Sequence, residues 1–67
     1  MLLQSKMNRL QITFAPKEFT AGSEWLEENS TKLGFSYDEY QDIYDSEDML
    51  YTIEKELEAS GLNYTLY

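Results

Sequence analysis

The stretch SYDEYQDIYDSEDMLYTIEKELE, residues 36 to 58, decides how the fold of this 67-residue chain is interpreted. It holds nine of the 13 carboxylates and four of the six tyrosines, against a single lysine. Ser36 is followed three residues later by Glu39, the pattern of a capping box, in which a serine begins a helix. The pattern predicts a short helix over residues 37–44. Its inner face would carry the tyrosines of the segment, Tyr37, Tyr40 and Tyr44.

A second helix is predicted in the same stretch, over residues 46–60. Asp45 or Ser46 would cap its N-terminus, and Gly61 suits the position after its last turn. Apolar residues recur at helical spacing and predict one buried face. They are Met49, Leu50, Ile53 and Leu57. Tyr51 falls on the opposite side of the helix among acidic residues, so it is predicted to point away from the core.

The remaining elements lie outside this stretch. Residues 8–14 alternate between apolar and polar side chains, which predicts a half-buried strand, and residues 62–67 alternate in the same way. Between them, Ser23 is predicted to cap a helix over residues 24–33. Gly34 stands where a glycine commonly ends a helix.

Together these elements predict a small single α+β domain, residues 1–67, in the order β-α-α-α-β. The sequence contains no hairpin turn, so the first and last strands are expected to pair in a two-stranded sheet, covered on one face by three short helices. Both edges of that sheet would be open to a second copy or to a partner strand. Residues 1–6 are expected to form a loose N-terminal extension, and Phe19 to tuck under the fold.

Charge divides the chain into a neutral half and an acidic half. Residues 1–33 sum to zero, whereas residues 34–67 hold the whole net charge of −8. An acidic surface repels the phosphate backbone, which disfavours direct binding to nucleic acid. A basic protein surface is the expected partner. No apolar run approaches the ~18 residues of a membrane span, and the N-terminus lacks a signal-peptide pattern, so a cytoplasmic protein without membrane contact is expected.

Catalysis, cofactor binding and metal binding are not predicted. The chain has no histidine and no cysteine, which removes the usual base near neutral pH and the commonest metal ligand, together with thiolate chemistry. It has no glycine-rich loop of the kind that cradles phosphate. Counting from Asp38 or from Asp42, the acidic residues fail the EF-hand pattern.

The candidate partner-binding surface combines the carboxylates of the two predicted helices with two tyrosines. Carboxylates at i and i+4 stand ~6 Å apart along a helix, so an array on adjacent helices would imitate a DNA strand, which carries one charge per ~3.4 Å. Tyrosine supplies contact area at interfaces, and Tyr51 is the predicted anchor. The alternative is a Tyr51 half-buried beneath the preceding helix. The predicted surface comprises Asp38, Glu39, Asp42, Tyr44, Asp45, Glu47, Asp48, Tyr51, Glu54 and Glu58.

These features predict a small inhibitor that acts as a nucleic-acid mimic and occupies the basic groove of a nucleic-acid-binding protein. In size, acidity and lack of catalytic side chains, the chain resembles, in general character only, the small inhibitors that phages make against host nucleases and defence complexes. That resemblance implies anti-restriction or anti-CRISPR activity in the host cytoplasm. The alternative is a non-catalytic regulatory or structural module that dimerises, or binds a partner, through strand residues 8–14 or 62–67. Modification of the acid-flanked tyrosines by a kinase or sulfotransferase is a further alternative.

Overall fold

The computed structural model describes residues 8–67, which form an antiparallel sheet of three strands and two α-helices. The strands are β1 (Asn8–Phe14), β2 (Asp42–Asp45) and β3 (Tyr64–Leu66), and the helices are α1 (Phe19–Leu33) and α2 (Glu47–Ser60). A short 3-10 turn at Pro16–Glu18 leads into α1. β1 lies at the centre of the sheet, between β2 and β3. The predicted N-terminal extension, residues 1–6, lies outside the described residues.

The predicted order β-α-α-α-β, with a two-stranded sheet and three helices, is wrong. β1 has the predicted bounds, and it does pair with the last strand, with Thr13 opposite Thr65 in an antiparallel ladder. The error lies in residues 37–44, predicted as a helix, which instead form a loop and then β2. β2 pairs with the first half of β1, so the sheet gains a strand and the fold loses a helix.

Residues 38–41 form a turn because the Asp38 side chain binds main-chain amides that follow it. Its Oδ1 atom accepts hydrogen bonds from the amides of Tyr40, at 2.8 Å, and Asp42, at 3.0 Å. Gln41 is left-handed, with φ of 64°, a conformation that does not continue an α-helix. Aspartate side chains that bond to nearby main chain compete with helix formation. Asp38 therefore overrides the capping-box pattern of Ser36 and Glu39.

The predicted inner face of that helix is also wrong, because Tyr37, Tyr40 and Tyr44 are all exposed. Ile43 is completely buried instead. Successive side chains of a strand point to opposite faces of the sheet, so Ile43 points to the helices and Tyr44 to the other side. The core takes one isoleucine from this segment rather than three tyrosines.

α1 begins at Phe19, five residues before the predicted start, and Ser23 lies inside the helix instead of capping it. Phe19 was expected to be buried, but it is 57% exposed. Gly22 accounts for the late predicted start, because glycine has low helix propensity. The structure requires glycine there, since a Cβ at Gly22 would lie 2.4 Å from the ring of Phe14. The predicted end of this helix is confirmed by Gly34, with φ of 84°.

α2 has the predicted caps. The Ser46 hydroxyl accepts a hydrogen bond from the Met49 amide at 3.2 Å, and Gly61 ends the helix with φ of 78°. Both helices pack on one side of the sheet, and Arg9 and Tyr44 project from the other side. The buried core comprises Ile12, Phe14, Leu26, Phe35, Ile43, Ile53 and Leu57. Within residues 8–67, neither helix combines the length and the apolar content needed to cross a bilayer.

Candidate protein-binding surface

The exposed side of α2 forms a mainly acidic surface that also carries Lys55, and we call it the acidic helix face. Its carboxylates and its tyrosine are all exposed to solvent. They are Glu47, Asp48, Glu54, Glu58 and Tyr51. Ile53 and Leu57 hold the opposite side of the helix in the core with no exposed surface. The face exists because α2 alternates apolar and acidic residues at the helical period.

Tyr51 occupies the centre of the acidic helix face, as the sequence predicted. It lies about 160° around the helix axis from Ile53, and 60% of its surface is exposed. The alternative of a half-buried Tyr51 is therefore wrong. The ammonium group of Lys55 lies 5.6 Å from the centroid of the ring, within the range of a cation–π contact. This contact places a cation over one face of the ring, and more than half of the surface of Tyr51 remains exposed.

No carboxylate of the acidic helix face forms an ion pair within residues 8–67, although Lys55 lies on the same side of the helix. Among residues 8–67, ion pairs join Arg9 to Asp42 and Lys32 to Glu56, and neither pair involves this face. Glu54 and Glu58 are four residues apart, a spacing at which like charges destabilise a helix by ~0.2–0.5 kcal/mol. This pair therefore adds repulsion to the fold, whereas Glu47 and Asp48 lie in the first turn, where the helix dipole favours negative charge.

Two carboxylates predicted for this surface have structural roles instead. The Asp38 carboxylate is engaged by the turn amides described above. Asp42 lies on the other face of the sheet, where its side chain is only 11% exposed and its Oδ1 is 2.7 Å from Nη2 of Arg9. Oδ1 accepts no well-aligned hydrogen bond among the described residues, so the contact with Arg9 is a close ion pair. Asp42 is therefore largely withdrawn from the surface, whereas Asp38 remains exposed with its Oδ1 engaged in the turn.

The other predicted residues divide between two places. Glu39 is exposed at the tip of the 38–41 turn. Asp45 is half-buried, and its Oδ1 accepts a hydrogen bond from the Ser46 amide at 2.7 Å, beside the start of α2. Tyr44 is exposed, but it projects from the side of the sheet opposite to α2. The structure thus reduces the predicted two-helix array to one helix and separates Tyr44 from it.

Arg9 and Gln11 organise the segment before β2, a role that no local pattern in the sequence indicates. Both project from the helix-free side of β1. Arg9 pairs with Asp42, and the side-chain amide of Gln11 donates to the carbonyl of Tyr40 at 3.1 Å. These contacts join residues about 30 positions apart in the chain, so only the register between β1 and β2 reveals them.

A shallow groove of about 290 Å³ lies at the far end of the sheet, between β3 and the 3-10 turn. Its lining includes Pro16 and Tyr64, and it contains no carboxylate, amine or guanidinium group. In residues 8–67, no group of three acidic side chains is close enough to hold a metal ion. The acidic helix face remains the candidate functional surface.

Comparisons with known proteins give no relatives: no family model, no curated protein and no solved structure matches this chain.

Proposed function

We propose that this protein is a non-catalytic inhibitor that binds through the acidic helix face to a basic, nucleic-acid-binding surface of another protein. The observation that carries the proposal is the arrangement of α2. Four carboxylates surround an exposed Tyr51, and none of them has an ion-pair partner among residues 8–67. Such a surface is complementary to one evolved to hold phosphates.

The charge density of this face supports the proposal. Glu47 and Glu58 are eleven residues apart, a distance of about 16 Å along the helix axis. One DNA strand places about five phosphates over the same length, and the face places four carboxylates and Lys55 there, a lower density of negative charge. A groove that accepts this face must admit a helix of ~10 Å diameter.

Tyr51 supplies the contact that charge alone lacks. Charged groups at an interface mainly guide association and select the partner, whereas a few aromatic anchors usually supply much of the affinity. Tyr51 lies between Glu47 and Glu54 on the helix surface. In the proposed complex it enters the partner's groove and replaces a base or sugar of the nucleic acid.

The proposed partner class is a nuclease, a restriction complex or a CRISPR effector, with the inhibitor encoded by a phage. The cytoplasm, where such enzymes act, is the proposed compartment. In this proposal the protein itself contacts neither nucleic acid nor membrane.

The test uses two triple variants that change the same residue type three times and remove the same amount of charge. The face triple is Glu47→Gln, Glu54→Gln and Glu58→Gln, and the control triple on α1 is Glu24→Gln, Glu27→Gln and Glu28→Gln. Each immobilised protein is used to capture partners from a lysate of the source organism or its host, at about 50 mM and about 500 mM salt.

We expect wild type and the control triple to capture the same protein at low salt. Duplex DNA and high salt should release it. Three lost contacts at ~0.5 kcal/mol each weaken binding by about ten-fold. The face triple should therefore capture little of the partner protein. Equal capture by both triples, or a partner that DNA does not displace, would refute the proposal.

A further inference from the structure

The hydrogen bonds between β1 and β3 show which main-chain groups of β3 face its partner strand. Gln11 and Tyr67 exchange both hydrogen bonds, at 3.0 and 2.9 Å, and the amide of Ala15 donates to the carbonyl of Asn63 at 3.1 Å. Bonded and non-bonded pairs alternate along an antiparallel ladder. The main-chain amide and carbonyl of Thr65, midway between Asn63 and Tyr67, therefore face β1.

The main-chain groups of Tyr64 and Leu66 point the other way, to the open edge of the sheet. Within residues 8–67, no turn or loop amide or carbonyl bonds to them. They are two residues apart in the strand, which is the spacing at which a further antiparallel strand bonds. β3 thus presents a ready template for strand addition.

The opposite edge of the sheet is protected at the first residue of its strand. At β2, the outward amide of Asp42 donates to Oδ1 of Asp38 at 3.0 Å, and its carbonyl accepts from the Asp38 amide at 3.2 Å. Asp45 stands at the other end of this strand, and the outward main-chain groups of Tyr44, just before it, have no turn or loop partner within residues 8–67. A covering loop and charged side chains are the usual means by which proteins block a sheet edge.

The β3 edge has no such protection. Residues 61–67 contain no charged side chain and no proline, although the chain carries a net charge of −8. Two copies of so acidic a protein repel each other at most approaches. The repulsion is smallest where the contacting segment itself is uncharged. A second copy can therefore approach the β3 edge with less charge repulsion than it meets at the β2 edge.

We infer that β3 is a self-association surface, at which β3 of one copy pairs antiparallel with β3 of a second copy about a two-fold axis at Thr65. In this register Tyr64 of each copy forms a bonded pair with Leu66 of the other. The two Thr65 residues meet as a non-bonded pair on the helix-free side. Tyr64 and Leu66 are half-buried in the single copy, and each pair would bury more of an aromatic and an aliphatic side chain together.

The result is a continuous sheet of two copies, with all helices on the same side. The two acidic helix faces are then displayed together. The paired strands are short, so the interface lies below the standard size of ~1,600 Å² and a weak, concentration-dependent dimer is expected. Salt screens the repulsion between the copies, so dimerisation should strengthen as salt rises. Partner binding through the acidic helix face should weaken, which separates the two proposals experimentally.

Cysteine cross-linking tests the register directly, because the wild-type chain has no cysteine. Thr65→Cys would place two Cα atoms ~4.5 Å apart across the non-bonded pair, within the range of a disulfide. The matched control is Thr13→Cys, also exposed, on the same side of the sheet and directly opposite Thr65. In the dimer its two copies would be about 14 Å apart, three strand spacings.

Under mild oxidation, we expect Thr65→Cys to form covalent dimers at least about ten-fold faster than Thr13→Cys. Equal rates would overturn the proposal. Sedimentation equilibrium of the wild-type protein provides a second test that needs no substitution. A monomer–dimer equilibrium that tightens from low to high salt supports the proposal. A monomer throughout, up to about 1 mM, overturns it and leaves the edge for a strand of a different protein.

Discussion

Replacing Asp38 by alanine tests the turn that converts the predicted helix into a strand. The substitution removes the acceptor for two main-chain amides, those of Tyr40 and Asp42. Side-chain caps of this kind stabilise proteins by ~0.5–2 kcal/mol, and bonds to charged acceptors lie at the upper end of the range for hydrogen bonds. We therefore expect Asp38→Ala to lower the free energy of unfolding by about 1–2 kcal/mol. In a domain of this size, that lowers Tm by roughly 5–15 °C.

The assay is thermal and urea unfolding followed by circular dichroism, with two matched variants. Glu39→Ala removes the same charge from the neighbouring exposed position and should change stability by less than ~0.5 kcal/mol. Asp38→Asn keeps a side-chain oxygen as acceptor and should recover most of the loss. If residues 37–44 were helical, alanine would be favoured over aspartate. An unchanged or raised Tm for Asp38→Ala would therefore refute the turn.

Further substitutions test other parts of the account. Gly22→Ala should destabilise the protein by ~1–3 kcal/mol in urea unfolding, because the added Cβ meets the ring of Phe14 and overpacking outweighs the gain in helix propensity; a more stable variant would contradict this packing. Gln41→Gly should stabilise the folded protein by up to ~1 kcal/mol. Glycine avoids the ~1–2 kcal/mol strain of the left-handed conformation, but part of that gain is lost because glycine gives up more backbone entropy on folding. A lower Tm for this variant would count against the φ of 64° at Gln41. Tyr51→Ala should weaken capture of the partner by about 30-fold or more, as for an interface anchor, while Tyr44→Ala, on the other side of the molecule, should not; similar losses for both would show that the binding surface is wrongly placed.

The sequence was sufficient where a repeating pattern determines the structure. β1 alternates over seven residues, and α2 combines a serine cap, a helical apolar stripe and a C-terminal glycine. Each of these features is local, so each predicts its element without knowledge of the rest of the fold. The exposed position of Tyr51 follows from the same helical period, and the prediction for it is confirmed.

The errors arose where a contact distant in sequence determines the structure. β2 has only four residues, with an aspartate at each end, and it is a strand because β1 lies beside it. α1 continues through Gly22 because Phe14 packs against that glycine. In α1, tertiary packing decided against the low helix propensity of glycine, whereas the turn before β2 also has a local cause in the hydrogen bonds that Asp38 accepts.

The candidate site shows the same division. The carboxylates of α2 were placed correctly because one helix carries them. Asp42 was misplaced because its partner is Arg9, on a different strand, and the spacing of acidic residues contains no information about it. Net charge and composition therefore identified the kind of surface, and the structure was needed to show which carboxylates belong to it.

The most direct test of the central proposal is the salt dependence of partner binding. The dissociation constant for the captured partner is measured over a series of salt concentrations for wild type, the face triple and the control triple. If the acidic helix face replaces phosphates, log Kd should rise steeply with log salt for wild type and the control triple alike. The face triple should show a distinctly shallower slope and weaker binding at low salt. Parallel slopes for all three proteins would contradict the proposal that this face binds in place of nucleic acid.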